Sequence, residues 1–261
     1  MKTIYSIFVL LIFSCFLNSI NAQDCDKGFK EIKKQKLDKA YEVFTKIIEK
    51  KPEDAGSYYG LAILYIDPSF KSFNAEKAYD NIMKAKTYYN NIQIEKEKNK
   101  LIKINITDSA IDSLVIIIES KLLDNVSNQK TIGAYSEYLE KYPNAHNTKD
   151  CIIQQHSFAF ELAKQTNTIE SYNQFIDNYS LAKQKDSAIF LRNLKAFEEA
   201  KNANTIYSLD MFIKKYPDAV DNKAAKIFKN QLAYEEAKAK GTLEAYNNFI
   251  EKYPNADEIK N

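Results

Sequence analysis

Few residues in this chain of 261 could do acid–base or covalent chemistry. Only His146 and His156 titrate near neutral pH without help. His146 follows Pro143 in a predicted turn, where it is solvated. His156 lies on a predicted helix, in a column shared with Asn193 and Asn230, which reads as a polar face and not a ligand set. A zinc site needs a convergent set of His, Cys and carboxylate ligands, and two His ten residues apart with scattered Cys do not provide one. There is no Gly-rich phosphate loop and no nucleophile elbow. Acidic residues are plentiful but interleave with Lys, as solvated helix faces do. No catalytic, cofactor-binding or metal-ligating residue is assigned, and the expectation is a protein that is not an enzyme.

The charge balance narrows the partners. Charged residues are 28% of the chain, yet the net charge is only +2, so no large basic patch is implied. Arg192 is the only arginine. Base readout and phosphate clamping commonly use Arg, so nucleic acid is not an expected partner. No apolar run after the first 22 residues is long enough to cross a membrane.

What positions the side chains is a repeat. A sixteen-residue phrase begins at Thr131 (TIGAYSEYLEKYPNAH) and recurs in related form at Thr168, Thr205 and Thr242, each start 37 residues after the last. A fixed period of this size marks stacked supersecondary units. Each Thr suits a helix N-cap, because its hydroxyl can accept a free N–H of the first turn, and Glu170 and Glu244 then sit at the positive end of the helix dipole. Apolar residues follow with i, i+3, i+4, i+7 spacing, as in Tyr135, Tyr138, Leu139 and Tyr142, or Tyr172, Phe175, Ile176 and Tyr179. That is one stripe of an amphipathic helix. Pro143, Pro217 and Pro254 end three of these helices. Ser180 replaces Pro in the second copy, which predicts a longer or looser end there.

A second helix is predicted over roughly 149–164, 186–201 and 223–238. Ile153, Phe190 and Ile227 share one column, and Phe160, Phe197 and Tyr234 lie seven residues on. Ala159, Ala196 and Ala233 form a small column, and Ala163, Ala200 and Ala237 another. Small residues let helices approach closely, and the large ones fill the space between units. One unit alone buries too little to fold, and stacking supplies a continuous core. With 18 Tyr and 15 Phe, a stacking platform for sugars or bases is the rival reading. The aromatics follow the helical stripe, which favours core packing. A buried Tyr then needs a partner for its hydroxyl.

The segment from Leu37, LDKAYEVFTKIIEKKPEDAGSYYGLAILYI, resembles the tetratricopeptide repeat. Ala40, Phe44, Ile47 and Pro52 match its A…F…A…P positions, with Ile at the third. Tyr58, Leu61, Ala62 and Tyr65 match the first helix of a following copy, and Ala78, Ile82 and Ala85 its second, with about four residues inserted around Asp67 to Phe73. Measured back from the Pro, Phe44, Ile47 and Ile48 share the offsets of Tyr135, Tyr138 and Leu139, so the 37-residue units look like a longer relative of the same pattern. The phrase Y-x-x-F-I-x-x-Y-P-x-A is also similar to repeats in bacterial outer-membrane assembly lipoproteins and in periplasmic coordinators of envelope constriction. The resemblance implies an all-α, right-handed helical-repeat solenoid of antiparallel helix pairs, and a scaffold role in the cell envelope. In such stacks the second helix lines a concave groove. By that likeness Gln155, Arg192 and Lys229, one column that varies in type, are the candidate contacts for a protein or peptide partner.

The first 22 residues read as an export signal: Lys2, an apolar run from Ile4 to Leu17, and a small-residue cleavage region ending at Ala22. Ile12-Phe13-Ser14-Cys15 resembles the lipobox of a lipoprotein, an alternative that would anchor the chain through Cys15. Export to the periplasm or the outer membrane would permit Cys25 and Cys151 to pair. The other reading buries Cys151 as a small residue in the column of Ala188 and Ala225. Residues 23–90 are then tetratricopeptide-like, 91–130 a degenerate connecting repeat, and 131–261 the 37-residue units, the last incomplete at Asn261. In the connecting part, Ile92 to Lys103 is predicted helical, Asn105 to Ser109 a break and cap, and Ile111, Leu114, Val115, Ile118, Leu122 and Val126 one apolar face. One continuous stack is expected. Asp108-Ser-Ala, Asp112-Ser-Leu and Asp186-Ser-Ala resemble an O-glycan acceptor motif of exported Bacteroidota proteins, though Asp-Ser at a helix start is also ordinary capping. Two rivals to a binding scaffold remain: a structural spacer or fragment of a larger envelope protein, and a recruiting arm of a multidomain enzyme.

Overall fold

A computed structural model describes residues 25–260. The predicted export signal, Cys15 and Asn261 lie outside the described residues. Within them the chain is all-α. Its helices are α1 (Asp26–Lys33), α2 (Leu37–Lys50), α3 (Ala55–Ile66), α4 (Ala75–Asn90), α5 (Glu95–Lys103), α6 (Asp108–Gln129), α7 (Ile132–Lys141), α8 (Thr148–Thr166), α9 (Ile169–Asn178), α10 (Lys185–Ala203), α11 (Ile206–Lys215), α12 (Asn222–Lys240) and α13 (Leu243–Lys252), followed by a 3-10 turn at Asp257–Lys260. Helices adjacent in sequence pack pairwise, α1 on α2, α2 on α3, α3 on α4, and again α9 on α10 through α12 on α13, an arrangement consistent with a helical repeat. The chain divides into two compact units. The first runs to Gln129 and includes Glu140–Thr148, and the second comprises Lys130–Leu139 and the residues from Lys149.

In the first unit the core centres on Phe44, which is fully buried with Ala40, Ala62, Ala78, Ile82 and Ala85. Gly28 and Gly60 lie against the Phe44 ring, and a Cβ on either would collide with it. The ring edge meets Phe29, with centroids 5.1 Å apart. The stretch inserted after α3 is a turn in which Asp67 accepts hydrogen bonds from Ser69 and Phe70 is buried. Asn74 then caps α4 by accepting from the Lys77 N–H at 2.8 Å. The predicted break at Asn105 is a left-handed residue, after which Thr107 accepts from the Ala110 N–H. The whole predicted face of α6, from Ile111 to Val126, is buried.

In the second unit the repeat is read directly in the hydrogen bonds. Thr131, Thr168, Thr205 and Thr242 each accept from the N–H three residues on, at 3.0–3.2 Å. Tyr135, Tyr138, Tyr172, Phe175, Leu209, Phe212 and Phe249 are buried, as are both Ala columns. Each layer closes as one cluster, such as Leu209, Phe212 and Tyr216 against Ala196, Ala200, Ala219 and Ala225. The position before each capping Thr is left-handed: Lys130, Asn167, Asn204 and Gly241 all have positive φ. Asn and Gly adopt this conformation at the least cost.

Two expectations are corrected. α9 is not longer or looser for lacking Pro: it has ten residues, as do α11 and α13. Tyr179 ends it in the conformation of Tyr216 and Tyr253, and the Ala182 N–H bonds the Tyr179 carbonyl just as Ala219 bonds Tyr216. Packing of the Tyr and the buried Ala fixes the turn, and Pro only reinforces it. The buried Tyr hydroxyls also differ. Tyr172 donates to Asn167 at 3.0 Å, whereas the Tyr216 hydroxyl is buried without a partner.

Candidate functional site

At one repeat position, helices α8, α10 and α12 each carry a large apolar side chain that their neighbours leave uncovered. Ile153, Phe190 and Ile227, 37 residues apart, are 48%, 48% and 44% exposed. Sequence reasoning placed this column between units. The column seven residues on behaves as it should: Phe160, Phe197 and Tyr234 pack on Phe175, Phe212 and Phe249 with ring centroids 5.3–5.6 Å apart. Single exposed apolar residues are ordinary; recurrence at one repeat position is not. In the first unit, Ile116 on α6 stands 37 residues before Ile153 and is also half exposed.

The three candidate contacts each make contacts within the chain, Gln155 buried and Arg192 and Lys229 partly exposed. Gln155 is buried and donates from Nε2 to the Ser136 hydroxyl at 2.9 Å. Lys229 reaches the equivalent position two repeats on, with Nζ 2.7 Å from Asp210 Oδ1, and lies over the Tyr253 ring. Arg192 donates to Asn193 Oδ1 and places its guanidinium 5.0 Å from the Tyr216 centroid. Helical geometry explains the difference: two residues turn about 200° around the axis, so the 155/192/229 column points toward the first helices while the 153/190/227 column points away.

Beside Ile153 is an open groove of about 340 Å³, lined by Ile152, His156, Tyr179, Leu181, Lys183 and Gln184 among others. Leu181 is 92% exposed. Asn144, Asp218 and Asn255 occupy its position in the other copies. The His156 ring stands 5.3 Å from the Tyr179 ring, and burial lowers its pKa below the ordinary imidazole value, which favours the neutral form. A second concavity, of about 330 Å³, lies in the first unit among Cys25, Asp54, Gly56, Tyr88, Ile94 and Leu101.

His146 is not simply solvated. Its ring is 55% exposed, but Nδ1 lies 2.9 Å from Glu119 Oε2, and its backbone N–H donates to the same oxygen at 3.0 Å. The Glu119 side chain is 3% exposed, and the Glu119 carbonyl accepts from Asn147 Nδ2 at 2.8 Å. These bonds fasten the turn after α7 to α6. Glu119 gave no sequence signal, since its partners are 27 and 28 residues away. Cys151 is fully buried, like Ala188 and Ala225 in its column. Its thiol points to the Tyr135 carbonyl, and burial pushes its pKa up to about 11, so it stays a protonated thiol at neutral pH. Among the described residues no three His, Cys, Asp or Glu side chains cluster as metal ligands would, and no helix is long and apolar enough to cross a membrane.

The arrangement offers contact surface: a recurring apolar row, a groove at one end of it, and a nearby polar column whose side chains make internal contacts. No protein-family model and no curated protein matches the chain.

Proposed function

We propose that this chain is an exported, non-enzymatic protein- or peptide-binding scaffold of the bacterial cell envelope, built as a right-handed solenoid of tetratricopeptide-like helix pairs. The observation that carries the reading is the row Ile153, Phe190 and Ile227, each about half exposed at one repeat position. Leaving one such side chain in water forgoes about 1–2 kcal/mol of burial. A partner that covers the row recovers that from every unit it spans. Export is supported by the Lys2, Ile4–Leu17 and Ala22 pattern.

The test is capture from envelope extract with the mature chain, beside the Phe190→Asp, Ile227→Asp double variant. A partner recovered by the first and lost by the second supports the proposal. Equal recovery by both, with the variant folded, removes the row as the binding face. The alternative of a structural spacer draws on a different observation: Gln155, Arg192 and Lys229 are spent on internal contacts. It predicts that neither protein captures anything above background. Arg192→Glu and Lys229→Glu then separate the two columns. Under the present reading they act mainly on stability, and they weaken capture less than the row variants do.

A further inference from the structure

The groove beside Ile153 exists because the repeat is broken there in three ways. First, the ring at the end of the stripe is uncapped. In the next two copies a cation lies over this Tyr, Arg192 over Tyr216 and Lys229 over Tyr253. Gln155 holds the equivalent position and bonds Ser136 but carries no charge, and the Tyr179 ring is met by the His156 and Phe175 rings with no cation over it. Tyr179 is partly exposed, as Tyr253 is, whereas Tyr216 is 7% exposed. Second, Leu181 stands fully out at the rim where the other copies have Asn or Asp. Third, Lys183 replaces His146 and Val220 of the flanking copies, and its ammonium makes no ion pair among the described residues. The groove lining contains Lys183 as its one charged side chain and no carboxylate.

Resting on the scaffold reading, we propose that this groove is a docking subsite for one large apolar side chain of a partner protein segment that carries a carboxylate within a residue or two of it. Ile152, Ile153 and Tyr179 line it, with Leu181 at the rim. Lys183 meets the carboxylate at the rim. A volume of about 340 Å³ lies at the low end of the roughly 300–1,000 Å³ of small-molecule sites, which suits a side chain better than a whole cofactor. Ile153 is also the first member of the exposed row, so a segment anchored here is aimed along Phe190 and Ile227. An unpaired cation beside an apolar pocket selects the acidic neighbour by charge complementarity, chiefly through specificity and on-rate.

The probe is a library of random twelve-residue peptides displayed on phage, selected on the purified full chain. The enriched peptides are then synthesised and titrated by fluorescence polarisation. Leu181→Asn restores the residue of other copies and removes no core contact. Gln155→Arg restores the capping cation of the next copy. Lys183→Glu reverses the rim charge. The expected result is enrichment of a large apolar residue flanked by Asp or Glu. Leu181→Asn and Gln155→Arg should each weaken binding about tenfold or more, and Lys183→Glu should weaken acidic peptides but not their Lys-flanked counterparts. Circular dichroism checks that each variant is folded. Peptides that bind and respond to Phe190→Asp and Ile227→Asp, but not to the three groove variants, would leave the scaffold reading standing and overturn this subsite. Enrichment of no peptide at all would count against both.

Discussion

Two phenylalanines on the second unit should differ sharply when each is cut to Ala. Phe212 is 3% exposed and packs with ring centroids 5.4 Å from Phe197 and 5.7 Å from Tyr216. Truncating a fully buried Phe costs about 3–5 kcal/mol, cavity included, and the two ring contacts place Phe212→Ala in the upper half of that range, at about 4 kcal/mol. Phe190 is 48% exposed. Full burial of such a side chain is worth about 1.5–3 kcal/mol, so the half that is covered contributes about 1 kcal/mol. Ala is the better helix former by up to about 0.5 kcal/mol, which offsets part of this. Phe190→Ala should therefore cost about 0.5–1 kcal/mol, leaving a gap of about 3 kcal/mol between the two variants. The chain has no Trp, so urea unfolding is followed by far-UV circular dichroism. Helical arrays can unfold in more than one step, and the comparison should be made on the transition that both variants shift. If Phe190→Ala costs as much as Phe212→Ala, then Phe190 is core, and the exposed row on which the functional reading rests does not exist.

Other outcomes follow from the same contacts. Glu119→Ala strips the acceptor from the His146 N–H and ring, and should cost about 1–3 kcal/mol in urea unfolding, because two hydrogen bonds to a side chain 3% exposed are lost together. Cys151→Ala should be nearly neutral, within about 1 kcal/mol, since Ala fills the column in two copies, whereas Cys151→Leu overpacks it by about 1–3 kcal/mol. With its pKa raised by burial, the Cys151 thiol should resist alkylation at pH 8 until the chain is unfolded, as mass spectrometry of the modified peptide will show. His156 has its pKa lowered on folding, so below about 6.5 the unfolded chain takes up the proton first. Stability should fall as pH drops through that value, and His156→Asn, the residue of the same column in two copies, should flatten the dependence in melts between pH 5 and 7.5.

Much of this was legible in one dimension. Thr131, Thr168, Thr205 and Thr242 cap their helices as the pattern required, because capping is local chemistry that a single residue type nearly determines. Ala40, Phe44, Ala62 and Ile82 are buried where the tetratricopeptide likeness placed them. What the sequence could not separate was which apolar columns neighbours cover. Ile153 and Phe160 are equally apolar and one heptad apart, yet only Phe160 has a ring against it. A stripe wider than the contact surface of its neighbours looks the same on paper as one that is fully used. The internal partners of Gln155, Arg192 and Lys229 were illegible for a related reason: variable polar type gave no hint of Ser136, Asn193 and Asp210. The Glu119–His146 pair spans 27 residues with no periodic signal. One signal was available and unused, the Asn or Gly before the capping Thr of the last three units, which marks the left-handed turn between units.

The most direct test of the exposed row is methyl NMR of the isotopically labelled chain with a soluble paramagnetic relaxation agent. Ile153 and Ile227 should broaden strongly, while Ile82, Ile111 and Ile118, at 0–1% exposure, should not. Ile153 and Ile227 methyls as shielded as those of Ile118 would contradict the account.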